Sequence, residues 1–78
     1  MADDRLEQLC AAVGVDPDGL RRLARTTRRT LPALVNRAVT QNVYTRASLD
    51  NVSWEDAVAS FGLRVIDDEW GYAPETQQ

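Results

Sequence analysis

A single cysteine, Cys10, and the complete lack of histidine limit how this chain of 78 residues can stabilise itself. Chains of this size bury a modest fraction of their surface unless disulfides, a metal, a partner or close helix packing adds to the core. One cysteine cannot form an internal disulfide, and a structural zinc site needs several Cys or His ligands. We therefore expect one domain without metal or cofactor, held together by helix packing or by self-association.

Apolar residues recur at intervals of three and four in four segments, the spacing of an amphipathic helix. Asp16 and Pro17 are typical of a helix start, and Gly62 is typical of a helix end. The pattern predicts an all-α fold, a small four-helix domain with a helix-turn-helix-like hairpin. The predicted helices are 3–13, 17–27, 31–43 and 53–61, with 44–52 as a connection.

The segment after Gly62 is less periodic. Residues 63–66 are predicted to form a short strand or extended arm. We expect 1–66 to be the helical domain and 67–78 to be an acidic and then polar tail, partly disordered. Trp70 and Tyr72, which lie in this tail, would either fold back onto the core or dock a partner.

Charge is strongly segregated along the chain. From Gly19 to Leu49 there is no acidic residue, and seven arginines give this stretch a charge of +7. The remainder holds all twelve acidic residues and two arginines, a charge of −10, which leaves the net −3. All nine basic residues are arginine, which fits either a GC-rich genome or selection for bidentate phosphate and base contacts. The candidate binding residues are Arg21, Arg22, Arg25, Arg28, Arg29, Arg37 and Arg46.

Crowded like charges repel, so the arginine-rich segment is expected to meet a neutralising partner. Three neutralising partners are possible. The first is duplex DNA or RNA, the second is an acidic surface of another protein, and the third is the acidic ends of this chain. Those ends are Asp3, Asp4 and Glu7 on one side and Asp67, Asp68 and Glu69 on the other.

The segment from Leu9 to Leu23 resembles the helix-turn-helix motif of DNA-binding proteins. The resemblance depends on the small residue Cys10, the turn residue Gly14, the apolar Val15, and two leucines on the second helix, Leu20 and Leu23. Glycine suits the turn because the backbone there takes a positive φ. The resemblance implies that Arg21, Arg22 and Arg25 lie on the exposed side of a recognition helix that reaches the major groove.

A second stretch resembles ribbon-helix-helix proteins, in which a strand precedes two helices and reads DNA as a dimer. Residues 25–30 would be the ribbon, with helices over 31–42 and 53–61. The threonines suit a strand because they are β-branched, although the stretch lacks alternating apolar residues.

Enzyme chemistry finds no support in these residues. Without histidine and with one cysteine, the usual pairs of nucleophile and base cannot be built, and no phosphate-binding glycine loop is present. Cys10 falls on an apolar helical stripe, so we expect a buried, inert thiol. No run approaches the ~18 apolar residues of a membrane span, and the N-terminus does not resemble a signal peptide, which predicts a cytoplasmic protein.

The sequence therefore predicts a small non-enzymatic DNA-binding regulatory protein that uses its acid-free arginine-rich segment, with homodimerisation expected. The alternative is a protein–protein interaction module, such as an adaptor, inhibitor or assembly subunit, whose arginine face binds an acidic partner.

Overall fold

A computed structural model describes residues 4–75 of the chain, in which four helices are followed by a small antiparallel sheet. The mostly helical architecture is therefore confirmed, and the sheet is an addition to the all-α expectation. The elements are α1 (Asp4–Val13), α2 (Pro17–Thr27), α3 (Leu31–Asp50), α4 (Trp54–Ser60), β1 (Leu63–Val65) and β2 (Tyr72–Pro74). Among these residues, no helix combines the length and the apolar character that crossing a bilayer requires.

Local sequence signals fix where the helices begin. Asp16, Thr30 and Ser53 are the N-caps of α2, α3 and α4, and each side chain accepts a hydrogen bond from a backbone N–H of the first turn. This contact satisfies one of the donors that the start of a helix leaves free. Proline follows in the first turn of α2 and α3, where its missing N–H costs nothing. The predicted starts at 17 and 31 are confirmed, and α4 begins at Trp54, one residue after the predicted start.

Helix α3 is longer than predicted. It runs for 20 residues to Asp50, so the connection predicted over 44–52 is wrong for residues 44–50. The physical reason is that Val43 and Ala47 continue the apolar stripe of α3 into the core, which favours helix over the local turn preference of the residues that follow. Asn51, the residue after the end of the helix, has a left-handed φ of 57°, and its N–H donates to the carbonyl of Ala47.

The core forms where α1, α3, α4 and the sheet meet, and α2 contributes no buried residue to it. Leu20 and Leu23 are the two large apolar residues of α2. Leu20 is half-buried, whereas Leu23 is 43% exposed, because α2 lies against the outer side of α3. The buried residues are Leu6, Leu9, Cys10, Leu34, Val35, Val39, Val43, Ala57, Val58, Leu63, Tyr72 and Ala73.

The chain after α4 folds back as a hairpin in which β1 pairs with β2, with Leu63 opposite Pro74 and Val65 opposite Tyr72. Asp68 organises the turn, since its Oδ1 accepts hydrogen bonds from the N–H groups of Trp70 and Gly71, both at 2.9 Å. Within the segment 67–78, which was expected to be partly disordered, residues 67–75 form the turn of the hairpin and β2, while 76–78 lie outside the described residues.

Trp70 and Tyr72 both fold back onto the core, which was the first of their two alternatives. Tyr72 is 3% exposed, and its hydroxyl lies 2.7 Å from the hydroxyl of Thr40 on α3. Arg5 of α1 reaches the hairpin as well, through an ion pair of 2.9 Å with Asp68. This ion pair joins residues near the two ends of the sequence, and such a contact cannot be predicted from a local sequence pattern.

Candidate nucleic-acid interface

Four arginines lie exposed along the second half of α2 and the turn that leads into α3. They are Arg22, Arg25, Arg28 and Arg29, and we call them the arginine face. Between residues 4 and 75, the ion pairs involve only Arg5 and Arg21 among the basic residues. Within that part of the chain, the four guanidinium groups are thus left to solvent or to a partner.

Arg21 departs from the expectation that it lies on the exposed side of α2. Its guanidinium binds Glu7 of α1 at 2.8 Å and Asp18 at 2.7 Å, and the residue is half-buried. Two hydrogen bonds raise the pKa of Arg21 above its ordinary value, and the bond to Glu7 has a larger effect than the bond to Asp18. The positive charge of Arg21 is therefore compensated within the chain. Its ion pair with Glu7 holds α2 against α1, and Arg21 does not belong to the arginine face.

Arg28 is held in an uncommon backbone conformation. It follows the last residue of α2 with a φ of 60° and a ψ of 26°, and its N–H donates to the carbonyl of Ala24 at 3.0 Å. This left-handed position at the end of a helix usually belongs to glycine or asparagine, because a Cβ is disfavoured there. The fold therefore fixes the direction of the chain at Arg28 and places Arg29 just before the N-cap of α3.

Arg37 lies beside α2 on the neighbouring helix. It is exposed on α3 and borders a cleft between the two helices. Exposed Leu23 contributes to the wall of this cleft, so the arginine stands next to uncovered apolar surface. The cleft, which we call the α2–α3 groove, is lined by Leu20, Leu23, Leu34, Arg37, Ala38 and Gln41.

Arg46 is separate from the other candidates. Its guanidinium lies 4.1 Å from the ring centroid of Phe61 and donates to the hydroxyl of Ser60 at 2.9 Å. A cation over an aromatic face is attracted by the ring quadrupole. Arg46 thus links α3 to the end of α4, and the structure does not bring it to the arginine face.

The turn between α1 and α2 has the backbone that the helix-turn-helix resemblance requires, since Gly14 has a φ of 74°. The start of α2 carries Asp16 as its N-cap and Asp18 in its first turn. In helix-turn-helix proteins the N-terminal residues of the second helix contact base edges, and two carboxylates there would face a polyanion. Base recognition by this helix stays a prediction.

The ribbon predicted over residues 25–30 is wrong. Arg25 and Thr26 belong to α2, which ends at Thr27, and the strands of the described chain lie after α4. The hydroxyls of Thr26 and Thr27 both donate to the carbonyl of Leu23, at 3.1 and 2.7 Å respectively. Serine and threonine side chains commonly make this contact within helices.

The thiol of Cys10 is buried at 1% exposure, as its place on the first apolar stripe predicts. Burial raises the pKa of this thiol, and the negative charge of Glu7 adds to the effect. Trp54 is half-buried against the core, and its ring centroid lies 6.4 Å from that of Tyr44 and 6.3 Å from that of Tyr72.

Sequence reasoning missed the α2–α3 groove. A signal for it was present, because α2 has only Leu20 and Leu23 as large apolar residues. Two leucines make a stripe too narrow to bury a helix fully.

Comparisons with protein-family models, curated proteins and solved structures give no match. Within residues 4–75, no three acidic or cysteine side chains come together as a metal site. Function is therefore inferred from the arginine face and the groove beside it.

Proposed function

We propose that this is a non-enzymatic regulatory protein that binds DNA through its arginine face, mainly by contacts to the phosphate backbone. Planar guanidinium groups match phosphate oxygens in a bidentate manner. The exposed arginines of α2 supply such groups without a competing ion pair in the described chain. The positive end of the α3 dipole lies beside Arg29 and adds to the attraction.

The observation that carries the proposal is the left-handed backbone of Arg28. For a residue with a Cβ this conformation costs about 1 kcal/mol, and glycine would avoid the cost. The other described residues with positive φ are Gly14, Asn51, Gly62 and Gly71, types that tolerate it. An arginine in this position lowers the stability of the folded protein. We infer that it is kept because its guanidinium binds a phosphate group.

We expect recognition to be largely independent of sequence. Contacts to phosphate fix the position of a protein on the duplex but carry no base information. The start of α2, which would have to enter the major groove, bears the carboxylates of Asp16 and Asp18. These charges favour an approach through the second half of α2 and the turn after it.

A salt titration with duplex DNA tests the proposal. Each phosphate contact contributes roughly −0.9 to the slope of the logarithm of the binding constant against the logarithm of salt concentration. The double variant Arg25→Gln/Arg28→Gln should reduce the magnitude of the slope by about 2. Arg64→Gln is the matched control, because Arg64 is exposed on β1, away from this face. A wild-type protein that fails to bind duplex DNA at about 50 mM salt would refute the proposal.

A second candidate function, that of a protein-interaction module, is favoured by the α2–α3 groove. Leu23 is 43% exposed in this groove, and uncovered apolar surface next to charge is typical of protein interfaces rather than of phosphate sites. The two functions separate experimentally, since Leu23→Ser should weaken a protein complex and leave the salt slope of DNA binding unchanged.

A further inference from the structure

Helix α2 stands apart from the core of the described chain. The buried apolar residues lie in α1, α3, α4 and the sheet, and none of them lies in α2. Leu20 packs against the core as a half-buried residue, whereas Leu23 is 43% exposed. The opening of a helix that holds no buried residue leaves most of the core contacts in place, and such segments are the ones that unfold locally.

The contacts that hold α2 in place are few and lie near the surface. Arg21 binds Glu7 of α1 at 2.8 Å, but their side chains are 33% and 56% exposed. Ion pairs with this exposure contribute little to stability. On the α3 side, Leu20 and Leu23 supply the large apolar side chains of α2.

The sequence of α2 does little to keep it helical by itself. Gly19 lies inside the helix and lowers its helix propensity, and the β-branched Thr26 and Thr27 form its last turn. Arg22 and Arg25 are three positions apart, a spacing at which like charges repel. A helix of 11 residues is only marginally stable alone in water, so we expect α2 to unfold when it leaves α3.

Both ends of α2 suit such an opening. Gly14 and Arg28 have φ angles of 74° and 60°, and unfolding relieves the left-handed strain at Arg28. Residues 14–29 would then form a loop between α1 and α3, and the entropic cost of closing a loop rises slowly with its length. The contacts that join α1 and α3 to the hairpin do not involve α2 and would persist.

We propose that α2 opens as a separate unit, unfolding between Gly14 and Arg29 while the rest of the fold stays intact, and that its docked state is the one that binds DNA. The second half of this inference rests on the proposed function. Arg22, Arg25 and Arg28 form one surface only while α2 is folded, so DNA should bind the docked state and oppose the opening.

Amide hydrogen exchange followed by NMR, without nucleic acid, tests the opening. Relative to their intrinsic rates, the slowest amides of residues 21–27 in α2 should exchange at least about tenfold faster than the slowest amides of residues 35–43 in α3. Exchange in α2 should also respond less to urea, because local opening exposes less surface than global unfolding does. Equal rates and equal urea dependence in the two helices would overturn the inference.

Two variants separate local opening from global unfolding. Thr40→Val removes the hydroxyl that pairs with Tyr72, so it should accelerate the slowest exchange in α3 roughly tenfold and leave exchange in α2 unchanged. Leu20→Ala is the matched control and should accelerate exchange in both helices, because local and global opening both break the contacts of Leu20. Acceleration of both helices by Thr40→Val would show that α2 unfolds only with the whole protein.

Duplex DNA tests the second half. At a free concentration of about 100 times its dissociation constant, DNA should slow exchange in α2 about a hundredfold, because only the docked state binds it. Bound DNA that leaves exchange in α2 unchanged would overturn this coupling. A chain that binds no duplex DNA would refute the proposed function and the coupling together, while the exchange measured without DNA still decides whether α2 opens.

Discussion

Arg28 and Asn51 occupy equivalent positions, each one residue beyond the end of a helix, with φ angles of 60° and 57°. Each donates its N–H to the carbonyl four residues earlier, that of Ala24 for Arg28 and that of Ala47 for Asn51. Asparagine adopts this conformation at a lower cost than arginine does. The two positions therefore differ in local strain, although the hydrogen bonds that end the two helices are alike.

This difference predicts that Arg28→Gly stabilises the protein. Relief of the left-handed strain should raise the free energy of unfolding by about 1 kcal/mol. For a domain of this size the melting temperature should rise by about 4–8 °C. The same variant should lower the magnitude of the DNA salt slope by about 1.

Asn51→Gly serves as the control for that experiment, because its starting residue already suits the conformation. Its free energy of unfolding should change by only a few tenths of a kcal/mol. A lower melting temperature for Arg28→Gly would show that the arginine side chain makes a stabilising contact, and would remove the main support for its role in binding.

Gly71 has a tighter requirement than the other glycines. It has a φ of 83°, and a Cβ there would clash with the side-chain amide of Asn36, which donates to the carbonyl of Trp70 at 2.9 Å. Gly71→Ala should therefore add the loss of this packing to the left-handed strain and cost about 2–4 kcal/mol. Chemical denaturation measures the change.

Gly14→Ala is the comparison for Gly71→Ala. Gly14 has a φ of 74°, but no atom lies within 4 Å of the added Cβ, so only the strain of about 1 kcal/mol is expected. In the Gly71→Ala background, Asn36→Ala should cost less than it does alone, because the clash is then absent. Equal losses for the two glycine variants would contradict the close contact with Asn36.

The hydroxyls of Thr40 and Tyr72 form a hydrogen bond between α3 and β2 at 2.7 Å. Thr40→Val or Tyr72→Phe alone leaves the other hydroxyl without its partner in a half-buried or buried place, which should cost about 1–3 kcal/mol. The double variant should cost much less than the sum of the two, because both polar groups are removed. Additive losses would show that the two hydroxyls do not interact.

Helix starts and the arginine-rich segment could be predicted because their signals are local. Asp16, Thr30 and Ser53 each act on the next turn of chain, and the local charge of the segment is read directly from the sequence. The extension of α3 was missed because Asp50 and Asn51 favour a turn locally, and packing of the preceding turns into the core decides the outcome.

The hairpin and the role of Arg21 depend on contacts between distant parts of the chain. Arg5 meets Asp68 across 63 positions, and Arg21 meets Glu7 on another helix. Helical periodicity places Arg21 and Arg25 on one side of α2, but it does not say which of them another helix covers. The arginine face was therefore predicted as a segment, and the structure separates Arg21 and Arg46 from it.

Asp68 should make stability depend on acidity. The N–H of Gly71 lowers the pKa of its carboxyl most, and the hydrogen bond from Arg5 lowers it further. A carboxyl with a lowered folded-state pKa stabilises the fold above its unfolded pKa of about 3.9, and this contribution is lost as the pH falls through the folded value. The free energy of unfolding, measured with urea between about pH 6 and pH 2, should therefore fall towards acid.

Asp68→Asn should flatten that part of the pH profile, since the amide does not titrate. The variant should be less stable than the wild type near pH 6, and the two should converge once the wild-type carboxyl is protonated. Arg5→Gln should flatten the profile only in part, because the larger cause, the N–H of Gly71, remains. Profiles for Asp68→Asn and wild type that run parallel down to about pH 2 would show that the turn does not depend on the ionised carboxyl.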